Sequence, residues 1–487
     1  MNSFNNMTSI NKIYKQSVVT LLILIVCLTT VYAQQEISQQ ELSSKKLSLQ
    51  ECRHMALQNN IENNIAKEQI TAASYKVAAY KANYLPKISA TGLYLYSDAT
   101  LAKTIEGGML PTFVPDGTGN MVSNSGFAFM PDIPLELKLS GTYNGSIRVE
   151  QPIYTGGKVT AAYKMAKTGH EMAQINETLC ASQVILLCDE AYWNCVKAKA
   201  MIETALQYKE TLNELQRMVQ NAVDEGMTHR KDLLSVQVKM NEAQLNLTRA
   251  QNGYRLATMN LNHITGLPLN NSTEVTESFE QSASQQDFYM TSKSDSFNKT
   301  LDSFDITLRP EYKLLTNQVE IKKQQVNLAR SEFLPNVGIM GIYGYTNGLK
   351  MDGEKLINGT NFAALLSVNI PIFHWGEGKN KIKEAKLQSS IAQMQLNDSQ
   401  QKMTLEATKA INELNEAALE VTLSSKSVEQ AQENMNVSKE RYSAGMETLA
   451  NYMEAQTIWQ NAISTLINAK ASLHLSKTKY LKATGKL

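Results

Sequence analysis

The sequence predicts a mainly α fold with a membrane β-barrel portion, built from long helical hairpins and strand pairs written twice along one chain. Three observations predict it. Landmarks recur at constant offsets, which marks a tandem repeat. Two proline-free intervals, Gly157 to Gly226 and Gly376 to Gly445, are both 69 residues long. Four short segments alternate apolar and small or polar residues with period 2, the pattern of a strand with two unlike faces.

The chain start reads as a secretory signal over residues 1–33. Lys12 and Lys15 precede a short apolar run, Val18 to Leu28, and Val31-Tyr32-Ala33 resembles a cleavage site. Leu24-Ile25-Val26-Cys27 is loosely like a lipid-attachment box, but Val26 stands where a small residue belongs, so cleavage after Ala33 is expected rather than lipidation at Cys27. No later segment has about 20 consecutive apolar residues, which leaves no transmembrane helix in the mature chain but does not exclude a barrel. Without the signal, 45 basic side chains stand against 46 acidic ones, a net charge of −1. That argues against a nucleic-acid partner. Cys180, Cys188 and Cys195 lie on one helical stretch, about 10 to 12 Å apart along the axis, too far to bridge; with Cys52 they read as buried thiols. The histidines show no metal spacing, and no glycine-rich phosphate loop is present, so neither an enzyme nor a cofactor is expected.

An N-terminal segment, 34–47, leads into a first repeat, 48–270. A polar low-complexity linker, 271–308, joins it to a second repeat, 309–487. Leu85-Pro86 is echoed by Leu334-Pro335 at an offset of 249. Pro152-Ile153-Tyr154, Gly226-Met227 and Thr265-Gly266 are echoed by Pro371-Ile372-Phe373, Gly445-Met446 and Thr484-Gly485, all at 219. Residues 223 to 266 align with 442 to 485 without a gap, and nine of the 44 positions are identical. The difference between the offsets, 249 − 219, places 30 extra residues in the first copy, within 98–140. This Gly-, Pro- and Asn-rich stretch reads as a long loop, with a shorter counterpart at 346–361.

Each copy reads helix, strand, loop, strand, long helix, turn, helix. Strands are expected at about 86–97, 141–153, 335–346 and 361–373. Ile88, Ala90, Gly92 and Tyr94 share one face, matched by Val337, Ile339, Gly341, Tyr343 and Tyr345; Tyr143, Gly145, Ile147 and Val149, and Phe362, Ala364, Leu366, Val368, Ile370 and Ile372, do the same. The tyrosines fall toward the loop end, where a barrel's aromatic girdle would lie. Alternation alone equally fits a soluble half-buried sheet.

The helices shift that balance. At about 1.5 Å per residue each long interval is roughly 100 Å of helix. Ala198, Met201, Ala205, Tyr208, Leu212, Leu215, Val219 and Ala222 follow coiled-coil steps of 3 and 4, as do Ile411, Leu414, Ala418, Val421, Ser425, Val428, Gln432 and Met435. First-copy residues 48 to 84 read as one shorter helix. Four strands cannot close a barrel, and an open edge in lipid leaves backbone groups unpaired. Three chains would supply twelve strands, an even number within the range of membrane barrels.

These residues resemble the TolC-like outer-membrane efflux protein family of trimeric channel-tunnels. The resemblance is carried by Leu85-Pro86 and Leu334-Pro335, by Gln151-Pro152-Ile153-Tyr154 with Gly156-Gly157, and by Ile370-Pro371-Ile372-Phe373 with Gly376. Arg309-Pro310-Glu311 and Tyr442, Gly445, Thr448 and Ala455-Gln456 add to it. It implies a homotrimer whose twelve-stranded barrel sits in outer-membrane lipid and continues into a periplasmic helical tunnel. It also implies passive efflux or type I secretion with a periplasmic adaptor (membrane fusion) protein and an inner-membrane RND or ABC pump. Gly226, Met227, Thr228, Gly445, Met446 and Thr448 correspond to the tunnel tips that meet the adaptor; the glycines equally serve only to reverse the chain. Glu429, Glu433 and Asn436, with Arg217 as first-copy counterpart, correspond to the narrowed entrance. Asn436 departs from an expected acid, and solvated coiled-coil charges are the plainer reading. Pro86, Pro152, Gly156, Gly157, Pro335, Pro371 and Gly376 mark the barrel-tunnel joints. A structural envelope-spanning anchor without transport is the alternative.

Overall fold

The computed structural model describes residues 46–97, 100–115, 121–138, 141–279, 305–351 and 354–487. The expected signal, Cys27 and most of the linker lie outside the described residues. Seven α-helices are described: α1 Leu49–Asn59, α2 Ile61–Ala82, α3 Lys158–Asp224, α4 Arg230–Thr265, α5 Pro310–Ser331, α6 Glu377–Ser443 and α7 Leu449–Ala483. The strands are β1 Lys46–Leu47, β2 Lys87–Leu95, β3 Thr100–Ile105, β4 Gly108–Pro115, β5 Met121–Met130, β6 Ile133–Lys138, β7 Thr142–Thr155, β8 Glu274–Val275, β9 Asn336–Met351 and β10 Glu354–Asn369.

The two proline-free intervals are single helices of 67 residues each. Four helices end alike. In α3 the Gly226 amide donates to Val223 O and the Met227 amide to Ala222 O; α6 repeats this with Gly445 to Tyr442 and Met446 to Arg441. Gly266 and Gly485 close α4 and α7 in the same way. This arrangement needs a left-handed residue, and φ is 76°, 73°, 76° and 69° at Gly226, Gly445, Gly266 and Gly485.

Three expectations are corrected. Residues 48–84 form two helices, not one. The chain breaks at Asn60, which is extended and whose side chain donates to Ile264 O and accepts from the Glu62 amide. Residues 98–140 are not a long loop: their described part carries β3 to β6, with Pro111, Gly126 and Pro134 inside strands. Its outer hairpin, β4–β5, turns off at a corner where the Gly107 amide donates to Asp132 Oδ1 at 2.6 Å and no Cβ would fit. The second-copy counterpart is likewise mostly strand, with β9 and β10 each 16 residues long. The linker begins with structure too, as β8 pairs in parallel with β1.

The chain divides into two compact units. The helical unit draws on Met1–Ile70, Met172–Leu315 and Gln395–Leu487. One of its cores gathers Cys52, Ala56, Val184, Cys188, Tyr192, Cys195, Val196 and Leu261; another gathers Tyr208, Leu212, Leu215, Val219, Leu233, Val236, Tyr452 and Trp459. The α3 seam therefore buries the predicted residues from Ala205 to Val219. The α6 seam is displaced. Leu414 and Met435 are buried as predicted, but the intervening knobs are Ala417, Ser424 and Ala431, while Ser425 is exposed. The steps after Leu414 are 3 then 4 instead of 4 then 3, so Ala417, Ser424 and Ala431 are buried in place of Ala418, Ser425 and Gln432.

Asp189 is fully buried in the first core. Its carboxylate accepts from Arg53 Nε at 2.7 Å and from Arg53 Nη2 and Thr478 Oγ1. Nearby, Phe279, Trp193 and His474 form a stack, with the His474 ring 3.6 Å from Trp193. Burial lowers the His474 pKa to about 4; Lys477 adds to the depression and Asp189 opposes it. The unfolded imidazole titrates near 6.5, so the native state binds fewer protons between those values. The contribution is complete above about pH 6.5 and is lost progressively as pH falls toward 4, roughly 1 to 3 kcal/mol in all. Urea midpoints measured from pH 7.5 to 4.5 should fall more steeply for the wild type than for His474→Gln. Parallel curves would show that this imidazole has no such linkage.

Candidate functional site

The second unit draws on Thr71–Glu171 and Thr316–Met394 and is centred on a sheet. Strands β2, β7, β9 and β10 lie side by side, each antiparallel to its neighbour, and the ribbon β6–β3 continues beyond the end of β7 on the same side of β9. The four expected strands are thus present, with shifted ends. β7 runs past Pro152 to Thr155, and β10 stops at Asn369, so Ile370, Pro371 and Ile372 continue beyond the strand.

Register places the predicted faces together. Directly opposed residues share a face. One row runs Ile88, Val149, Gly341, Ala364; the next Ala90, Ile147, Tyr343, Phe362; the next Gly92, Gly145, Tyr345, Thr360. The other face carries Ser89, Arg148, Ile342 and Ala363, then Thr91, Ser146, Gly344 and Asn361. The first face is apolar and uncovered: Ile88, Tyr343, Phe362 and Leu366 are all exposed. At its far end the Tyr143 and Tyr345 rings lie 6.0 Å apart, Asn347 Nδ2 donates to both hydroxyls, and Tyr345 donates to Asn358. Rings on the apolar side with hydroxyls in a polar network fit a membrane interface. The outer edges of β2 and β10 have no strand partner among the described residues.

At the other end the strands meet the helices. Pro86 and Pro335 each stand one residue before a strand, where a missing N–H costs no ladder bond. Pro152 does not end its strand, as expected, but sits inside β7 opposite Gly338, where the register shifts before Tyr154. Gly156 (φ 62°), Gly157 (φ 87°) and Gly376 (φ 83°) are all left-handed. Gly156 is buried: a Cβ there would lie 2.7 Å from Leu334 Cβ and 2.8 Å from Ser331 O. In the second copy the ring of Phe333 covers Gly378, and Lys381 Nζ ties Glu377 (2.8 Å) to Glu332 (3.3 Å).

At the two helical turns Met227 and Met446 are 75% and 74% exposed, although the backbone amide of each is hydrogen-bonded in its helix cap. Thr448 caps α7 by accepting from the Asn451 amide, whereas Thr228 donates to Asp232 Oδ2 at 2.6 Å. Glu429 and Glu433 are exposed on α6 and share a shallow depression with Lys426 and Gln430. Asn436 accepts from Gln432 Nε2, and Arg217 is exposed on α3. Lys439 Nζ of α6 lies 3.9 Å from Glu214 Oε2 of α3. The sequence reading gives no role to Lys426, Ser331 and Lys381; Ser331 lies just before the Leu334-Pro335 landmark, and Lys381 follows the Gly376 joint, whereas Lys426 adjoins no motif.

The outer membrane efflux protein family matches residues 52–267 and 282–486. The chain belongs to that family. Its members are outer-membrane channels, so the sheet is the membrane part and the helical hairpins are periplasmic. The alkaline protease secretion protein AprF of Pseudomonas aeruginosa is 21% identical over 334 residues, 68% of this chain; the chain spans 66% of that relative's length. Among solved structures, the Campylobacter jejuni CmeC outer membrane channel superposes with a TM-score of 0.67 at 19% identity, covering 90% of this chain and 85% of that one. VceC of Vibrio cholerae gives 0.67 at 15% identity, with 90% and 96% covered. The open state of the Neisseria gonorrhoeae MtrE channel gives 0.64 at 16% identity, with 90% and 88% covered. At these identities the likeness is one of fold.

Proposed function

We propose that three copies of the chain form a passive exit duct through the outer membrane, serving an efflux or type I secretion system for small molecules or polypeptides. The observation that carries this is the sheet: an exposed face rich in apolar side chains, an opposite face that carries Arg148, Glu150, Ser89, Thr91, Ser146 and Asn361 among a few apolar residues, and two edges without a strand partner among the described residues. One chain cannot satisfy those edges in lipid, where each unpaired backbone group costs several kcal/mol. Three chains close twelve strands around a polar lumen. The secretion role named for AprF favours polypeptide export; the channels CmeC and MtrE share the fold.

In this reading the exposed Met227 and Met446, held by the Gly226 and Gly445 caps and flanked by Thr228 and Thr448, meet the helices of a periplasmic adaptor. Methionine offers an adaptable apolar contact there. An RND or ABC pump in the inner membrane drives transport. Glu429 and Glu433, repeated in three subunits, make the entrance cation-preferring, with Lys426 partly offsetting them and Asn436 adding no charge.

Single-channel conductance in planar bilayers tests the duct. Small, cation-preferring pores are expected, while a structural anchor would give none. Replacing Glu429 and Glu433 together with alanine should raise conductance and cut cation preference by about twofold. Unchanged values in both would remove these residues from the entrance.

A further inference from the structure

The internal repeat specifies how one copy docks on the next. Add 249 to a β2 residue and 219 to its β7 partner, and the β9–β10 register results. Ile88 opposite Val149 becomes Val337 opposite Val368, and Gly92 opposite Gly145 becomes Gly341 opposite Ala364. Sequence repeat and backbone register therefore agree residue for residue. Within the chain, the last strand of the first copy, β7, pairs with the first strand of the second, β9. The last strand of the second copy, β10, and the first of the first copy, β2, are the two free edges.

In the trimeric reading above β10 meets β2 of a second copy, and we infer that Trp375 seals that seam, placed there by the register that β7 and β9 already show. This rests on the trimeric reading above and adds its contacts. Gln151 opposite Ile339 becomes Ile370 opposite the partner subunit's Ala90. Val149 opposite Gly341 becomes Val368 opposite the partner subunit's Gly92.

The same mapping assigns a role to Trp375. Gly156 corresponds to Trp375, and Ser331 and Leu334 to the partner subunit's Ala82 and the partner subunit's Leu85. Inside the chain, Gly156 is tucked beneath Leu334 with no room for a Cβ. Trp375 repeats that left-handed backbone at φ 49°, and no other non-glycine residue does so among the described residues. A tryptophan held there is strained. Yet its indole is 90% exposed, and its ring contact is an edge-to-face approach to Phe373, itself 68% exposed. Leu85 is 62% exposed. An alanine replaces Ser331 in the mapped joint and an indole replaces a hydrogen. The indole thus lies over the partner subunit's Leu85 and fills the seam that a glycine closes within the chain.

Cysteine pairs test the register. Ile370→Cys with Ala90→Cys should give a disulfide-linked ladder of subunits under mild oxidation. Val368→Cys with Ala90→Cys, on the same face but shifted by two residues, should link at least tenfold more slowly. Trp375→Gly and Leu85→Ala should each make the trimer dissociate roughly tenfold faster in heated detergent. Their combination should be no worse than either alone, and Trp375→Phe should recover most of the loss. Preferential linking of the shifted pair, or independent addition of the two substitutions, overturns the inference while leaving the duct intact. A chain that is monomeric by native mass in mild detergent overturns both.

Discussion

Gly156→Val is expected to abolish heat-stable trimers and to lower the melting temperature of the membrane unit, whereas Gly157→Ala is expected to be mild. Both positions are left-handed, with φ 62° and 87°. A side chain there costs about 1 to 3 kcal/mol in backbone strain, and β-branching places valine at the upper end. The difference is space. A Cβ at Gly157 meets nothing within 4 Å, but one at Gly156 lies 2.7 Å from Leu334 Cβ and 2.8 Å from Ser331 O. Neither neighbour can yield easily, because one is a backbone oxygen and the other the root of a side chain at the start of β9. Overpacking of this kind adds roughly 1 to 3 kcal/mol before the two further methyl carbons of valine are placed. The strand β7 must then swing away from the end of α5, and the β7–β9 ladder begins at that point. Circular dichroism melts and the gel mobility of unheated samples decide the matter. Equal effects at the two glycines would mean that conformation, not packing, makes Gly156 necessary.

The architecture was legible because its determinants are periodic. Constant offsets revealed two copies, and helix-period spacing revealed Leu212, Leu215 and Val219 as buried knobs. Alternation assigned the correct face to residues on all four strands, since a side-chain period of two leaves no middle choice. What failed was set by single contacts. The α6 seam slipped because Ala417 and Ala418, Ser424 and Ser425 are adjacent and chemically alike, so sequence could not choose between them. Asn60 breaks a helix through a hydrogen bond to Ile264 O, 204 residues away. The stretch 98–140 reads as a loop because Pro111, Gly126 and Pro134 lie inside its strands, where such residues are uncommon. At the joints, Gly156 was visible, but the atoms that require a glycine there, Leu334 Cβ and Ser331 O, come from the other copy. The candidate entrance shows the reverse case. Glu429 and Glu433 are named through the family resemblance alone, and Lys426 beside them is not, because a cation on a coiled-coil surface has no pattern of its own.

Phe362→Arg should prevent assembly, and Asn361→Arg, one residue away, should not. The two side chains are both exposed in a single chain, so a soluble sheet would tolerate either substitution about equally. In a membrane barrel they face different solvents. Phe362 lies in the row with Tyr343, Ile147 and Ala90, between the tyrosine end of the sheet and the helix joints, which puts it near mid-depth. Asn361 lies in the row with Gly344, Ser146 and Thr91 on the polar face. An arginine on the lipid face near the midplane costs about 2 to 4 kcal/mol, and closure repeats that cost in every subunit, roughly 6 to 12 kcal/mol per trimer. That is comparable with the whole stability of an ordinary domain. An arginine at 361 instead joins the water-filled lumen near Arg148, where it should lower cation preference without blocking insertion. Folding yield into detergent and lipid, read by heat-modified mobility, separates the outcomes. Loss of assembly only for Phe362→Arg places lipid on that face. Loss for both, or for neither, would contradict the assignment of lipid and lumen to the two faces and with it the barrel.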